Sequence, residues 1–106
     1  MPVDMDLGRR TDALKALAEP ARWRIVERLA DEELCVCHLV EDLGIAQPLV
    51  SHHLKVLREA GLVESERFRQ WTYYRLVAPA VADIAAELTV LHRGARQAGG
   101  RRRPCC

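Results

Sequence analysis

Apolar residues return every three or four positions along most of this chain, and the interruptions fall at glycine and proline. Leu7, Leu14 and Leu17 keep helical spacing and predict a first helix over about 7–18. Pro20 suits an early helical position, where its fixed φ helps and its missing N–H is not needed. It opens a second helix reaching about residue 30, with Ile25, Val26 and Leu29 as its apolar stripe. Asp31, Glu32 and Glu33 follow as an acidic connection. Val36, Leu39, Val40 and Leu43 predict a short third helix, stopped by Gly44, a residue that takes positive φ readily. Pro48 stands where a fourth helix begins, Val50, Leu54 and Leu57 give its stripe, and Gly61 closes it. The pattern then turns strand-like over 62–68 and 71–77, where Thr72, Tyr73 and Tyr74 favour a pleated surface and Arg69-Gln70 separates the runs. Pro79 opens a last helix to about residue 95, with Val81, Ile84, Ala85, Leu88 and Leu91 on one side.

Two short helices joined by a tight glycine-containing turn form a helix-turn-helix, here over about 36–60. A hairpin over about 62–77 projects beside the fourth helix as a wing. The expected fold is therefore mostly α with a small β-hairpin: a winged helix-turn-helix of four helices, two strands and a final helix. Residues 1–95 form this winged helix-turn-helix domain, and 96–106 a flexible basic tail with nothing to pack, ending in Cys-Cys.

Composition narrows the class. At 106 residues, 49% hydrophobic and 29% charged, the chain reads as one soluble domain. No apolar run approaches the roughly 20 residues that span a bilayer. The start does not resemble a signal peptide, because Asp4 and Asp6 precede Arg9 and no apolar core follows. The expected compartment is the cytoplasm, where four cysteines read as thiols or metal ligands rather than disulfides. Net charge is only +1, but its distribution is uneven: 11 Lys and Arg stand against 15 Asp and Glu through His92, then five Arg and no acid. DNA contact must come from a local basic face. With Val50, Leu54 and Leu57 inward, Gln47, Pro48, Ser51, His52 and Lys55 face outward from the fourth helix. Gln, Ser and His exchange hydrogen bonds with base edges, and Lys55 meets phosphate. Arg67, Arg69 and Gln70 at the wing tip reach an adjacent groove or the backbone. His53 lies nearer the buried stripe and reads as structural. No nucleophile stands with an orienting partner, so the chain does not read as an enzyme.

The stretches Ala16-Leu-Ala-Glu-Pro-Ala-Arg-Trp-Arg-Ile25, Glu33-Leu-Cys-Val-Cys-His-Leu39, Val50-Ser-His-His-Leu-Lys-Val-Leu-Arg-Glu-Ala-Gly-Leu-Val63 and Trp71-Thr-Tyr-Tyr-Arg75 resemble, in order and spacing, the ArsR/SmtB family of metal-responsive winged-helix repressors. The resemblance implies a homodimer, built from the first and last helices, on palindromic double-stranded operator DNA. Leu14, Leu17, Ile84, Leu88 and Leu91 then pack across a twofold axis, or else serve an internal core. Two positions depart from the family: Ala46 stands where a capping Ser is common, and Leu49 where Thr is frequent.

Cys35 and Cys37 lie at the entrance to the third helix. Residues two apart on a helix point about 200° apart, so both sulfurs face one ion only if Cys35 precedes the helix or its first turn is distorted. Soft thiolates favour soft ions, and trivalent arsenic or antimony accepts three thiolates in a pyramid. Glu33 through Leu39 resembles the arsenic-responsive branch, which implies As(III) or Sb(III) as inducer, with no organic cofactor. That branch often has a third cysteine where Val40 stands, and other members carry one near the N-terminus, where this chain has none. Cys105 and Cys106 remain: they complete the Cys35/Cys37 site within a subunit or across the dimer, form a separate site, or do neither. Cadmium, lead, zinc or thiol oxidation at the same cysteines is the alternative trigger. His38 is a weaker candidate ligand, because an isolated exposed histidine more often has no such role. Asp83 and His92 on the last helix lack the second pair that zinc-sensing relatives carry there, since Ala85 and Ala95 offer no ligand.

Overall fold

A computed structural model describes residues 5–105, with side chains from residue 7 onward. The elements are α1 (Met5–Leu17), α2 (Pro20–Asp31), β1 (Leu34–Cys35), α3 (Val36–Leu43), α4 (Gln47–Glu59), β2 (Val63–Phe68), β3 (Trp71–Leu76) and α5 (Ala78–Ala98). The five helices and the hairpin fall where the hydrophobic pattern predicts them. The short strand β1 is additional: it pairs antiparallel with β3 and turns the hairpin into a three-stranded sheet of order β1-β3-β2. Two residues cannot display a period, so no alternation in the sequence announces this strand. The last helix also runs to Ala98, three residues past its expected end and into the segment expected to be tail.

Local chemistry sets the helix ends. Glu19 caps α2 by accepting the Arg22 backbone N–H at 2.8 Å, with Pro20 just inside. Gly44 ends α3 at φ 68° and donates its N–H to the Val40 carbonyl at 2.9 Å. Helix α4 starts at Ala46 with no side-chain cap, which costs about 1 kcal/mol relative to Ser. Pro48 in its first turn offsets part of this by presetting φ. Gly61 follows α4 at φ 77°, and Leu62 N–H returns to the Leu57 carbonyl at 3.0 Å.

Ile25, Leu39, Val50, Leu54, Leu57 and Leu62 are the largest fully buried side chains, so the core lies between α2, α3 and α4. From α1 it receives Ala13 and Ala16, and from the sheet Leu34 and Val63. Leu14 therefore does not point inward; it is 42% exposed, while Leu17 packs on the core rim. Helix α5 contains no buried residue, although Ala80 and Ile84 touch the core. Arg10 of α1 holds it through Glu87 at 2.7 Å. At 21 residues α5 is about 32 Å long. Its projection raises the radius of gyration to 17.6 Å, where about 13 Å is usual for a compact chain of this length. Among the described residues no helix is long and apolar enough to cross a membrane.

Candidate functional site

Three surfaces carry chemistry: a sulfur cluster at the start of α3, the outward face of α4 with the wing, and an apolar face on α1 and α5.

Cys35 is both the last residue of β1 and the residue before α3, with extended backbone at φ −93° and ψ 169°. It thus precedes the helix, as the sequence requires if its sulfur is to meet that of Cys37. The two sulfurs lie 3.4 Å apart, Cys35 buried and Cys37 exposed. His38, three residues beyond Cys35, folds back so that its Nδ1 accepts the Cys35 backbone N–H at 3.1 Å. An amide can only donate, so that nitrogen carries the lone pair and the ring proton sits on Nε2. Nδ1 is also 3.2 Å from the Cys35 sulfur. One ligand atom from each of Cys35, Cys37 and His38 lies within 4.8 Å of the others. His38 is thereby placed among the candidate ligands, although an isolated exposed histidine more often has no such role. The readable signal was its spacing: the third helical residue can always reach back to the residue before the helix. Cys105 is exposed and outside this cluster, and Cys106 lies outside the described residues.

Burial pushes the Cys35 thiol above its ordinary pKa, and the neighbouring Cys37 pushes it further. Cys35 is therefore a protonated thiol at neutral pH, held beside Nδ1 of His38. Coordination of a soft ion is available to it once that proton leaves.

Helix α4 packs against α3 and turns its other side to solvent. Gln47, Pro48, Ser51, His52 and Lys55 are all exposed, at spacings that put them on one side of a helix. Leu49, 45% exposed, lies among them. Lys55 stands 4.0 Å from Glu59, one turn on, a contact weak enough to yield to phosphate. His53, by contrast, is buried and faces the start of α2: its Nδ1 lies 3.3 Å from an Arg22 Nη and 3.8 Å from Glu19. Burial lowers its pKa, so it is a neutral packing residue, as its position beside the stripe indicates. At the wing tip Arg67, Arg69 and Gln70 are exposed. Arg69 takes φ 57° in the two-residue turn and lies over the Phe68 ring at 5.4 Å.

The apolar face comprises Leu7 and Leu14 of α1 with Leu88, Val90 and Leu91 of α5, all 41–68% exposed. Clefts beside it are floored by the half-buried Leu17 and Ile84. All five leucine and isoleucine positions expected at a dimer contact thus line one continuous surface.

Residues 19–65 match the family model described as bacterial regulatory protein, arsR family. The chain is 43% identical over 83 residues to the HTH-type transcriptional repressor SmtB of Mycobacterium tuberculosis, covering 78% of this chain and 61% of that protein. It spans about three fifths of the length of that curated relative. A crystal structure described as a possible transcriptional regulator for arsenical resistance aligns with TM-score 0.70 at 31% identity, covering 87% of this chain and 98% of the other. The solution structure of a homodimeric winged helix-turn-helix DNA-binding domain from Mycobacterium bovis aligns with TM-score 0.66 at 27% identity, covering 92% and 90%. The match spans the helix-turn-helix, and the likeness to solved structures takes in the wing and most of α5: the chain belongs to the ArsR family of DNA-binding transcriptional regulators, which are not enzymes.

Proposed function

We propose that this protein is a homodimeric transcriptional repressor that leaves its operator when trivalent arsenic or antimony binds Cys35 and Cys37. The observation that carries this reading is the 3.4 Å separation of the two sulfurs at the entrance to the helix that supports α4. A tetrahedral ion about 2.3 Å from each sulfur spaces two sulfurs about 3.8 Å apart. A pyramidal centre, with bond angles nearer 90°, holds them closer at the same bond length. Each thiol replaces one hydroxide of As(OH)3, forming an As–S bond and releasing water. The third position goes to a tail thiol, Cys105 or Cys106, the remaining cysteines of the chain.

Gln47, Pro48, Ser51, His52 and Lys55 enter the major groove, and Arg67, Arg69 and Gln70 reach the flanking groove and backbone. The apolar face of α1 and α5 joins two copies, as in the homodimeric relative, so that two recognition helices meet the two halves of a palindrome. Coordination draws Cys35 and Cys37 onto one centre and shifts α3 against α4. A typical coupling of about 1–3 kcal/mol weakens operator binding about 5–150-fold.

The Nδ1 of His38, 3.2 Å from the Cys35 sulfur, favours a second reading in which the same repressor senses zinc or cadmium through two sulfurs and one nitrogen. Operator release titrated with arsenite, antimonite, cadmium and zinc separates the two. On the arsenic reading, Cys37→Ser keeps DNA affinity and loses arsenite release, while His38→Ala still binds arsenite. Release of Cys37→Ser at the wild-type arsenite concentration overturns it. A response to zinc or cadmium alone, lost in His38→Ala, establishes the second reading instead.

A further inference from the structure

Cys35 belongs to two elements at once. As the residue before α3 it carries the sulfur cluster, and as the end of β1 its Cα stands opposite Tyr73 on β3. Tyr73 stands in turn opposite Glu66 of β2, and Trp71 opposite Phe68. Side chains alternate along a strand, so Cys35, Tyr73, Trp71, Glu66 and Phe68 share one face of the sheet. Rings on that face form a chain from the cluster to the wing tip. His38 and Tyr73 have centroids 6.5 Å apart, Tyr73 and Phe68 meet edge to face at 6.4 Å, and Phe68 lies under the Arg69 guanidinium. The same face carries Arg75, whose guanidinium reaches Glu64 and Glu66 of β2 at 2.7 and 2.6 Å. It also reaches Glu33, just before β1, at 3.7 Å. The backbone ladder and this ion-pair brace tie the Cys35 segment to the wing.

We propose that Tyr73 is a positioning residue that relays coordination at the sulfur cluster to the wing, so that induction moves Phe68 and Arg69 as well as α4. This rests on reading Cys35 and Cys37 as the inducer site. When the Cys35 sulfur bonds to arsenic it gives up its 3.2 Å contact with the His38 ring. That ring and the Cys35 backbone then shift against Tyr73, which has one neighbour in the cluster and another at the wing tip.

The chain has two tryptophans, so Trp23→Phe leaves Trp71, across from Phe68, as the only indole reporter. In this background three readings are taken during arsenite titration of the full chain: sulfur-to-arsenic absorbance, Trp71 emission and operator release. The parent should show all three with one midpoint. Tyr73→Thr keeps strand preference and Tyr73→Leu keeps bulk, and neither supplies a ring. Both should bind arsenite within about threefold of the parent, yet lose the Trp71 change and give a release factor at least about threefold smaller than the parent's, since the shift of α3 against α4 remains. Tyr73→Phe should restore both responses. Normal release by the Thr and Leu variants, or parental release with a silent Trp71, overturns the relay while leaving the inducer site standing. Absence of arsenic absorbance in the parent overturns the inducer site itself and the relay with it.

Discussion

The sharpest test of assembly lies on α5. Leu88 is 54% exposed and Leu91 68% exposed in one copy of the chain, although both are large aliphatic residues on a helix with no buried residue. Full burial of a leucine side chain is worth about 1.5–3 kcal/mol. The exposed fractions therefore leave about 0.8–1.6 kcal/mol at Leu88 and about 1–2 kcal/mol at Leu91 for a partner to collect. Alanine keeps one of the four side-chain carbons, and a twofold contact counts each site twice. Leu88→Ala with Leu91→Ala should then weaken the dimer by about 3–5 kcal/mol, or roughly 10²–10⁴-fold in dissociation constant. Neither side chain belongs to the core cluster, so the helical circular dichroism of a protomer should not change. Sedimentation equilibrium over a wide concentration range measures the shift. Operator affinity should fall with it, because a monomer holds only half a palindrome. A dissociation constant within threefold of the wild type would refute the assignment of this face.

Two further outcomes test the surface and interior of α4. Ser51→Ala and His52→Ala should each weaken operator binding by about 1–3 kcal/mol, as loss of a base contact does, with the dimer and its helix content unchanged. Fluorescence anisotropy with a labelled operator measures this, and unchanged affinity in both variants removes these residues from the recognition surface. His53 gives a pH signature, since burial holds its folded pKa below the unfolded value of about 6.5. The unfolded chain therefore takes up the proton first. Stability is full above about pH 6.5 and declines as pH falls toward the folded pKa, with a slope of at most about 1.4 kcal/mol per pH unit. Arg22 and His52 add to the depression and Glu19 opposes it. His53→Gln should flatten the decline in urea midpoints between pH 7.5 and 5.5, and an identical decline in both proteins would sink the argument.

The helices were legible because each must hide a stripe, and the stripes of α2, α3 and α4 do meet at Ile25, Leu39, Val50, Leu54 and Leu57. Periodicity shows that a face is apolar without showing what covers it. The Leu7 and Leu14 stripe of α1 is such a case: the core takes Ala13 and Ala16 from the neighbouring face, and the leucines stay outside. Small residues there let α1 approach closely, and their size gives no hydrophobic signal. β1 was invisible for a different reason, because Leu34 and Cys35 are held by the partner strand β3 and not by any local preference. Half of the sulfur site followed from helix geometry alone, since thiols two apart cannot converge inside a regular helix. What it left open was the backbone that moves Cys35 off the helix. Strand β1 supplies that backbone, and the extended turn into α3 also brings His38 within reach.

The same geometry makes the identity of the inducer readable as proton stoichiometry. Thiols that bind zinc or cadmium must release their protons to solvent, so affinity rises with pH until the thiols ionise. Arsenous acid differs, because each S–H proton leaves with a displaced hydroxide as water and none reaches the buffer. Cys35 extends the range in which the two cases diverge, since burial and Cys37 hold its thiol protonated beyond the ordinary range. Between pH 6 and 8 two released protons change log affinity by about two per pH unit, and a single one by about one. Arsenite affinity should therefore stay within about threefold over this interval, while zinc or cadmium affinity climbs by at least tenfold per unit. Titrations in buffers of different ionisation enthalpy count the protons directly. Uptake of a full proton on arsenite binding would mean that Cys35 is already a thiolate, which its burial and the neighbouring Cys37 oppose.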